Sequence, residues 1–147
     1  MKTNKSKPSI PSKFDYRELN TYKPGADKIH FYAVILDAQF PHKSFKSEKY
    51  VCSLKIADPS CIIDKKEEGT VDFCTLVMFA NKFEDLPISQ RVGDIIRVHR
   101  AQVGIYKNQK QFTANVFFNA SWALFSPCLE KKSESCIDLY RPFMFHG

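Results

Sequence analysis

The stretch GDIIRVHRAQVGIYKNQKQF, residues 93–112, constrains the fold more than any other part of the chain. Strand side chains alternate between two faces, so a strand with one buried face shows apolar residues at every second position. In the first half Ile96 and Val98 hold that position, but in the second half Ala101, Val103 and Ile105 do. The parity changes near His99 and Arg100. One inserted residue has this effect, and such a β-bulge bends a strand as a small closed barrel requires. After a turn the chain returns as QFTANVFF, with Phe112, Ala114, Val116 and Phe118 expected inward and Gln111, Thr113 and Asn115 outward.

Three further stretches share this strand character. KIHFYAVILDAQF (28–40) is a long β-rich run whose polar residues, Asp37 and Gln39, gather near its end before a turn at FPHK. YVCSLKIAD (50–58) places Tyr50, Cys52, Leu54 and Ile56 on one face and Ser53 and Lys55 on the other. VDFCTLVMFA (71–80) is apolar at both parities, as a central or covered strand is. Between it and the bent strand, ANKFEDLPI (80–88) reads as one or two helical turns closed by Pro87. Residues 58–70 read as a polar loop, and residues 16–19 as a short helical possibility before a turn at Pro24 and Gly25. Five strands, the fourth bent, with a short helix between the third and fourth, describe an all-β OB-fold, a five-stranded Greek-key barrel. An SH3-like barrel or a sandwich competes, but neither expects a helical insert at that place.

A chain of 147 residues, 44% apolar and 14% aromatic, suffices for one globular domain with a core. Residues 1–27 divide off as a basic flexible arm and lead-in, residues 28–126 as the barrel, and residues 127–147 as a C-terminal extension or linker. The first thirteen residues carry four lysines, two prolines and no acid, which marks a flexible arm. The net charge of +6 favours an anionic partner, with nucleic acid ahead of an acidic membrane. No apolar run approaches the roughly 20 residues of a membrane span, and the first residues lack an apolar signal core, so an intracellular, reduced protein is expected. Cys52, Cys61, Cys74, Cys128 and Cys136 form no CxxC or CxxH pair, so no metal or other cofactor is expected. Cys52 and Cys74, inside apolar runs, read as buried free thiols. The strand-end carboxylates Asp37, Asp58 and Asp72 lack metal-ligand spacing and a neighbouring nucleophile, which argues against an enzyme.

After the parity change Arg100, Gln102, Gly104 and Tyr106 share the outward face. Unpaired nucleic acid exposes its bases, so an aromatic ring can stack on one for roughly 1–3 kcal/mol while cations meet the phosphates. Tyr106 with Arg100, Lys107 and Gln111 supplies stacking, charge and hydrogen bonding on one face, and an arginine can read the acceptor edge of guanine. The same residues also admit a bland reading: an exposed strand tyrosine often covers its cross-strand neighbours, and a turn lysine serves solubility. His99 at the bulge is expected to be a structural hydrogen-bonder. Phe31, Phe112 and Phe118 have core parity.

The blocks HFYAVILDAQFP, YVCSLKIADP, FEDLPI, GDIIRVHRA, QFTANVFF and SWALFS together resemble the N-terminal OB domain of the ciliate telomere end-binding protein alpha subunits. A weaker similarity runs to the protection-of-telomeres proteins. The resemblance covers about residues 28–126, and several collinear blocks are far more specific than one motif. It implies a nuclear protein of the chromosome end that binds the single-stranded, G/T-rich 3′ overhang of the telomere. It also implies that Tyr106 is a base-stacking tyrosine, with Arg100 and Gln111 beside it. Lys55 takes the place of an outward lysine, Phe79 that of an aromatic ending the third strand, and Gln39 and Lys43 lie where the first strand and its turn approach DNA. Lys107 belongs to the same basic hairpin. The alpha subunits are longer, with a second OB domain completing the groove and a third engaging a beta subunit, so these are the implied partners. Residues 61–70 depart from the family. A general replication-type single-stranded DNA-binding protein would use the same barrel and basic face.

Overall fold

The computed structural model describes residues 14–62, 71–89 and 91–126. Among them the strands are β1 (Ile29–Ala38), β2 (His42–Lys43), β3 (Tyr50–Ala57), β4 (Cys74–Ala80), β5 (Ile95–Tyr106), β6 (Gln109–Asn115) and β7 (Ser121–Phe125). Neighbours follow the order β1-β3-β4-β6-β5, and β5 pairs back onto β1, so the sheet closes. The β4–β6 pair is parallel and the other barrel pairs are antiparallel. These five strands are the expected ones, in the order of an OB barrel. The short β2 on β3 and β7 on β5 were not expected.

The parity change is a bulge at the expected place. Ile29 faces Ala101 while Phe31 faces Val98, so β5 carries one more residue than β1 between these pairs. Arg100 takes the left-handed conformation, with φ of 64°, and its N–H donates to His30 Nδ1 at 3.1 Å. At the other end of β5, Lys107 and Asn108 both have positive φ, and Tyr106 faces Gln109, which makes a two-residue hairpin turn matched to strand twist. A second irregularity lies in β1, where Ile35 faces Ile56 but Asp37 faces Lys55.

Inward alternation fills the barrel with Leu54, Ile56, Leu76, Met78, Ile96 and Val98, around an edge-to-face Phe31–Phe112 pair at 5.2 Å. Burying each such side chain stabilises the fold by roughly 1.5–3 kcal/mol. Residues 14–27 cover one end of this core. Leu19 and Tyr22 are buried, the Leu19 N–H donates to Asp58 Oδ2 at 2.8 Å, and Lys110 Nζ donates to the carbonyls of Leu19 and Tyr22. Asp58, which also caps the 3-10 turn Pro59–Cys61, is therefore a structural carboxylate.

Four sequence expectations change. The helix between the third and fourth barrel strands is a single 3-10 turn, Phe83–Asp85. Leu86 is extended before Pro87, which disfavours α-helix, and Trp122 Nε1 donates to the Asp85 carbonyl at 2.8 Å. The first helical turn falls at Leu19–Thr21. Ile105, expected inward, is 59% exposed because β5 has by then passed the barrel mouth. Phe118, also expected inward, is 80% exposed. β6 ends at Asn115, whose carbonyl accepts the N–H groups of Phe118, Asn119 and Ala120, so the period of two stops before Phe118.

Cys52 and Cys74 are buried free thiols as expected, and Cys61 joins them. Burial pushes the Cys52 thiol up to about 12, leaving it protonated. The basic arm, residues 63–70 and the extension with Cys128 and Cys136 lie outside the described residues.

Candidate nucleic-acid interface

The outward positions of the barrel strands form lateral rows. One runs Asp37, Lys55, Thr75, Gln111, Gly104 across five strands. The next runs Ser53, Val77, Thr113, Gln102, and the third His42, Val51, Phe79, Asn115. Adjacent strands lie about 4.8 Å apart, so the first row spans about 19 Å, room for several nucleotides. Gly104 leaves the first row open at β5, since a Cβ built there meets nothing within 4 Å.

At the hairpin end the face carries Tyr106, 58% exposed, with Lys107 Nζ 5.3 Å from the centre of its ring. Gln111 Nε2 donates to Thr113 Oγ1 at 3.5 Å. Lys55 Nζ lies 4.8 Å from the centre of Phe73, a residue exposed beside β4. Alternation of Cys74, Leu76 and Met78 inward already makes Phe73 outward. That signal was masked by an apolar run readable at both parities.

At the opposite end Phe79 is half-buried beside Val51, and the Gln39 N–H donates to the Ser53 carbonyl at 2.8 Å with its side chain exposed. Lys43 is not in the row with Phe79. It faces Tyr50, lies 5.4 Å over that ring and pairs with Glu48 at 3.5 Å, while His42 takes the outward position. The strand containing them is two residues long and joins by pairing with β3, which no local pattern signals.

Arg100 stands at this end too, held by the turn after β6. Its Nε donates to the Asn119 carbonyl at 2.7 Å and its Nη2 to Ser121 Oγ at 3.4 Å. Asp27, Lys28, Arg100, Gln102, Asn115 and Phe118 line a cavity that shares Gln102 and Asn115 with the outward rows. Lys49 Nζ lies 4.5 Å from the ring centre of the adjacent Phe117. The turn thus adds two exposed rings that the expected inward parity of Phe118 concealed.

Behind the bulge, His99 is buried and stacks on Phe14 at 3.8 Å, and its Nε2 meets the Tyr16 hydroxyl at 2.5 Å. Burial, then the Arg97 guanidinium, pushes its pKa down to about 4, so the ring is neutral near pH 7. This is the structural role expected of it.

The chain matches the family described as telomeric single-stranded DNA binding POT1/CDC13 over residues 11–145. It is 49% identical to the telomere-binding protein subunit alpha of Stylonychia mytilus over 92% of this chain and 29% of that one. It is 52% identical to the same-named protein of Sterkiella nova over 78% of this chain and 23% of that one. Protection of telomeres protein 1 of Mus musculus is 31% identical over 67% of this chain and 13% of its own. The chain therefore spans under a third of the two ciliate relatives. Among solved structures it resembles a crystal structure of fission yeast Pot1 and ssDNA, with TM-score 0.63 and 16% identity, over 86% of this chain and 40% of that one. At that identity the likeness is one of fold, and it is the likeness of an OB barrel. With this barrel and a match over residues 11–145, the chain belongs to the telomeric single-stranded DNA-binding POT1/CDC13 family.

Proposed function

We propose that this chain binds single-stranded telomeric DNA across the outward face, from the Tyr106–Lys107 end to the Gln39–His42 end. The observation that carries the reading is the first outward row, polar from Asp37 to Gln111 and open at Gly104, on a face flanked at its two ends by exposed rings and cations. Tyr106 and Phe79 stack on bases, Lys55 and Lys107 meet phosphates, and Gln111 hydrogen-bonds a base edge. Gln39 lines the far rim, with Lys43 beyond it as a more distant positive charge. Arg100 places the 116–119 turn and Phe118 beside the strand, and its remaining N–H donors reach a phosphate or a guanine edge. The activity is binding alone, without turnover. The names of the relatives, telomere-binding protein and protection of telomeres protein, support a place at the chromosome end, from which a nuclear location and a role at the G/T-rich 3′ overhang are part of the proposal. Their greater length leaves room for a second OB domain that completes the groove, and the words subunit alpha in their names support a further subunit as partner.

Titration with a G/T-rich 3′ overhang and with a pyrimidine-rich strand of equal length tests the reading. Clear preference for the overhang is expected. Equal affinity would favour a general replication-type binder, and no affinity for either at low salt would sink the proposal.

A further inference from the structure

A carboxylate is out of place on a face that binds a polyanion, because it repels phosphate. Asp37 nevertheless stands in the first outward row, and it is the one carboxylate in the three rows. The irregularity in β1 puts it there. Between the Ile35–Ile56 and Asp37–Lys55 pairs β1 carries one residue more than β3, and this turns Asp37 to the side of Lys55. The side chain is exposed. Its Oδ1 accepts the Ala38 N–H at 2.9 Å, and Oδ2 carries no hydrogen bond or ion pair among the described residues. Lys55 sits opposite without forming an ion pair, its ammonium held over Phe73.

Directly opposed residues on antiparallel strands are about 5 Å apart, a spacing that one base edge bridges. An ionised carboxylate only accepts hydrogen bonds and an ammonium only donates. Side by side they present acceptor, acceptor and donor. The Watson–Crick edge of guanine is the complement, with N2–H and N1–H as donors beside the O6 acceptor. Thymine offers one N–H between two acceptors, and adenine and cytosine each offer one amino group beside an acceptor nitrogen. None of the three presents two adjacent donors. Bases of an unpaired strand turn this edge to a protein.

We infer that Asp37 is a guanine-selecting residue, accepting from N1–H and N2–H of one base while one of the three Lys55 donors reaches its O6 and the others remain for phosphate. The inference rests on the proposed single-strand binding and adds a residue that decides which base occupies that position.

The test compares wild type, Asp37→Ala and Asp37→Glu on a G/T-rich strand in which guanines are replaced one at a time by inosine, which lacks the N2 amino group. An all-thymine strand of equal length serves as reference. At one position wild type is expected to lose about tenfold in affinity, the low end for a bidentate base contact. Asp37→Ala should be indifferent to inosine there, yet bind the all-thymine strand as tightly as wild type or more tightly, because a negative charge has gone. Asp37→Glu, which keeps the carboxylate, should recover part of the discrimination. Melting curves should coincide, since the side chain is exposed. An inosine penalty equal in Asp37→Ala and wild type, or a uniform gain by Asp37→Ala on every strand, overturns the assignment while leaving single-strand binding in place. Failure of wild type to bind any single strand overturns both.

Discussion

What a side chain on the outward face can offer a ligand depends on what already holds it. Tyr106 is exposed and touched mainly by Lys107, so its ring is available to a base. Tyr106→Ala should weaken single-strand binding by roughly 1–3 kcal/mol with little change in melting temperature, whereas Tyr106→Phe keeps the ring and should cost much less. Wild-type affinity in the alanine variant would show that DNA lies elsewhere; unfolding would show that Tyr106 serves the core. The lysines differ among themselves in the same way. Lys55→Ala and Lys107→Ala should each flatten the log-log salt dependence of binding by about 0.7, the amount expected for one lost phosphate contact on a single strand. Lys43, paired with Glu48 and turned toward Tyr50, should flatten it less. Three equal slopes would contradict this ranking.

Strand β5 joins two parts of the barrel, since one end of it closes the sheet and the other carries part of the face proposed for DNA. Its bulge is braced by neutral imidazoles, His30 accepting from the Arg100 N–H and His99 stacked under Phe14. The folded His99 resists protonation until about pH 4, whereas an unfolded histidine takes up a proton near 6.5. Between these values the unfolded chain binds more protons, so stability should be full above about pH 6.5 and fall as pH drops toward 4. Thermal melts across that window check this, and His99→Gln should flatten the profile. At the other end of β5, Gly104 has no neighbour that a side chain would strike. Gly104→Val suits a strand and should melt no lower than wild type, yet obstruct the open row and weaken DNA binding. Unchanged binding would mean that the nucleic acid does not cross β5 there.

At the scale of the whole molecule, residues ahead of the first strand are part of the core. Removing residues 1–13 should leave the melting temperature in place, because that arm has no periodic apolar positions. Extending the deletion through residue 27 should be strongly destabilising. It takes Leu19 and Tyr22 out of the core, and strips Asp58 Oδ2 of the Leu19 N–H and Lys110 Nζ of the two carbonyls that hold it. Equal melting temperatures for the two truncations would show that the lead-in does not contribute to the fold.

The sequence by itself determined the five barrel strands, the Phe31–Phe112 core and the bulge at His99–Arg100, because burial of one strand face writes a period of two into neighbouring residues and a bulge visibly breaks it. It also placed Tyr106, Gln111 and Lys55 on one face, since parity alone decides that. Only the tertiary structure decided what parity cannot carry. Lys43 turns away through its pairing with β3, and Arg100 is engaged by a turn nineteen residues later in the chain. Phe118 emerges because β6 ends at Asn115, and Asp37 reaches the outward row of Lys55 through a shift measured against β3. Each of these depends on a partner distant in sequence, so no local pattern of residues encodes it.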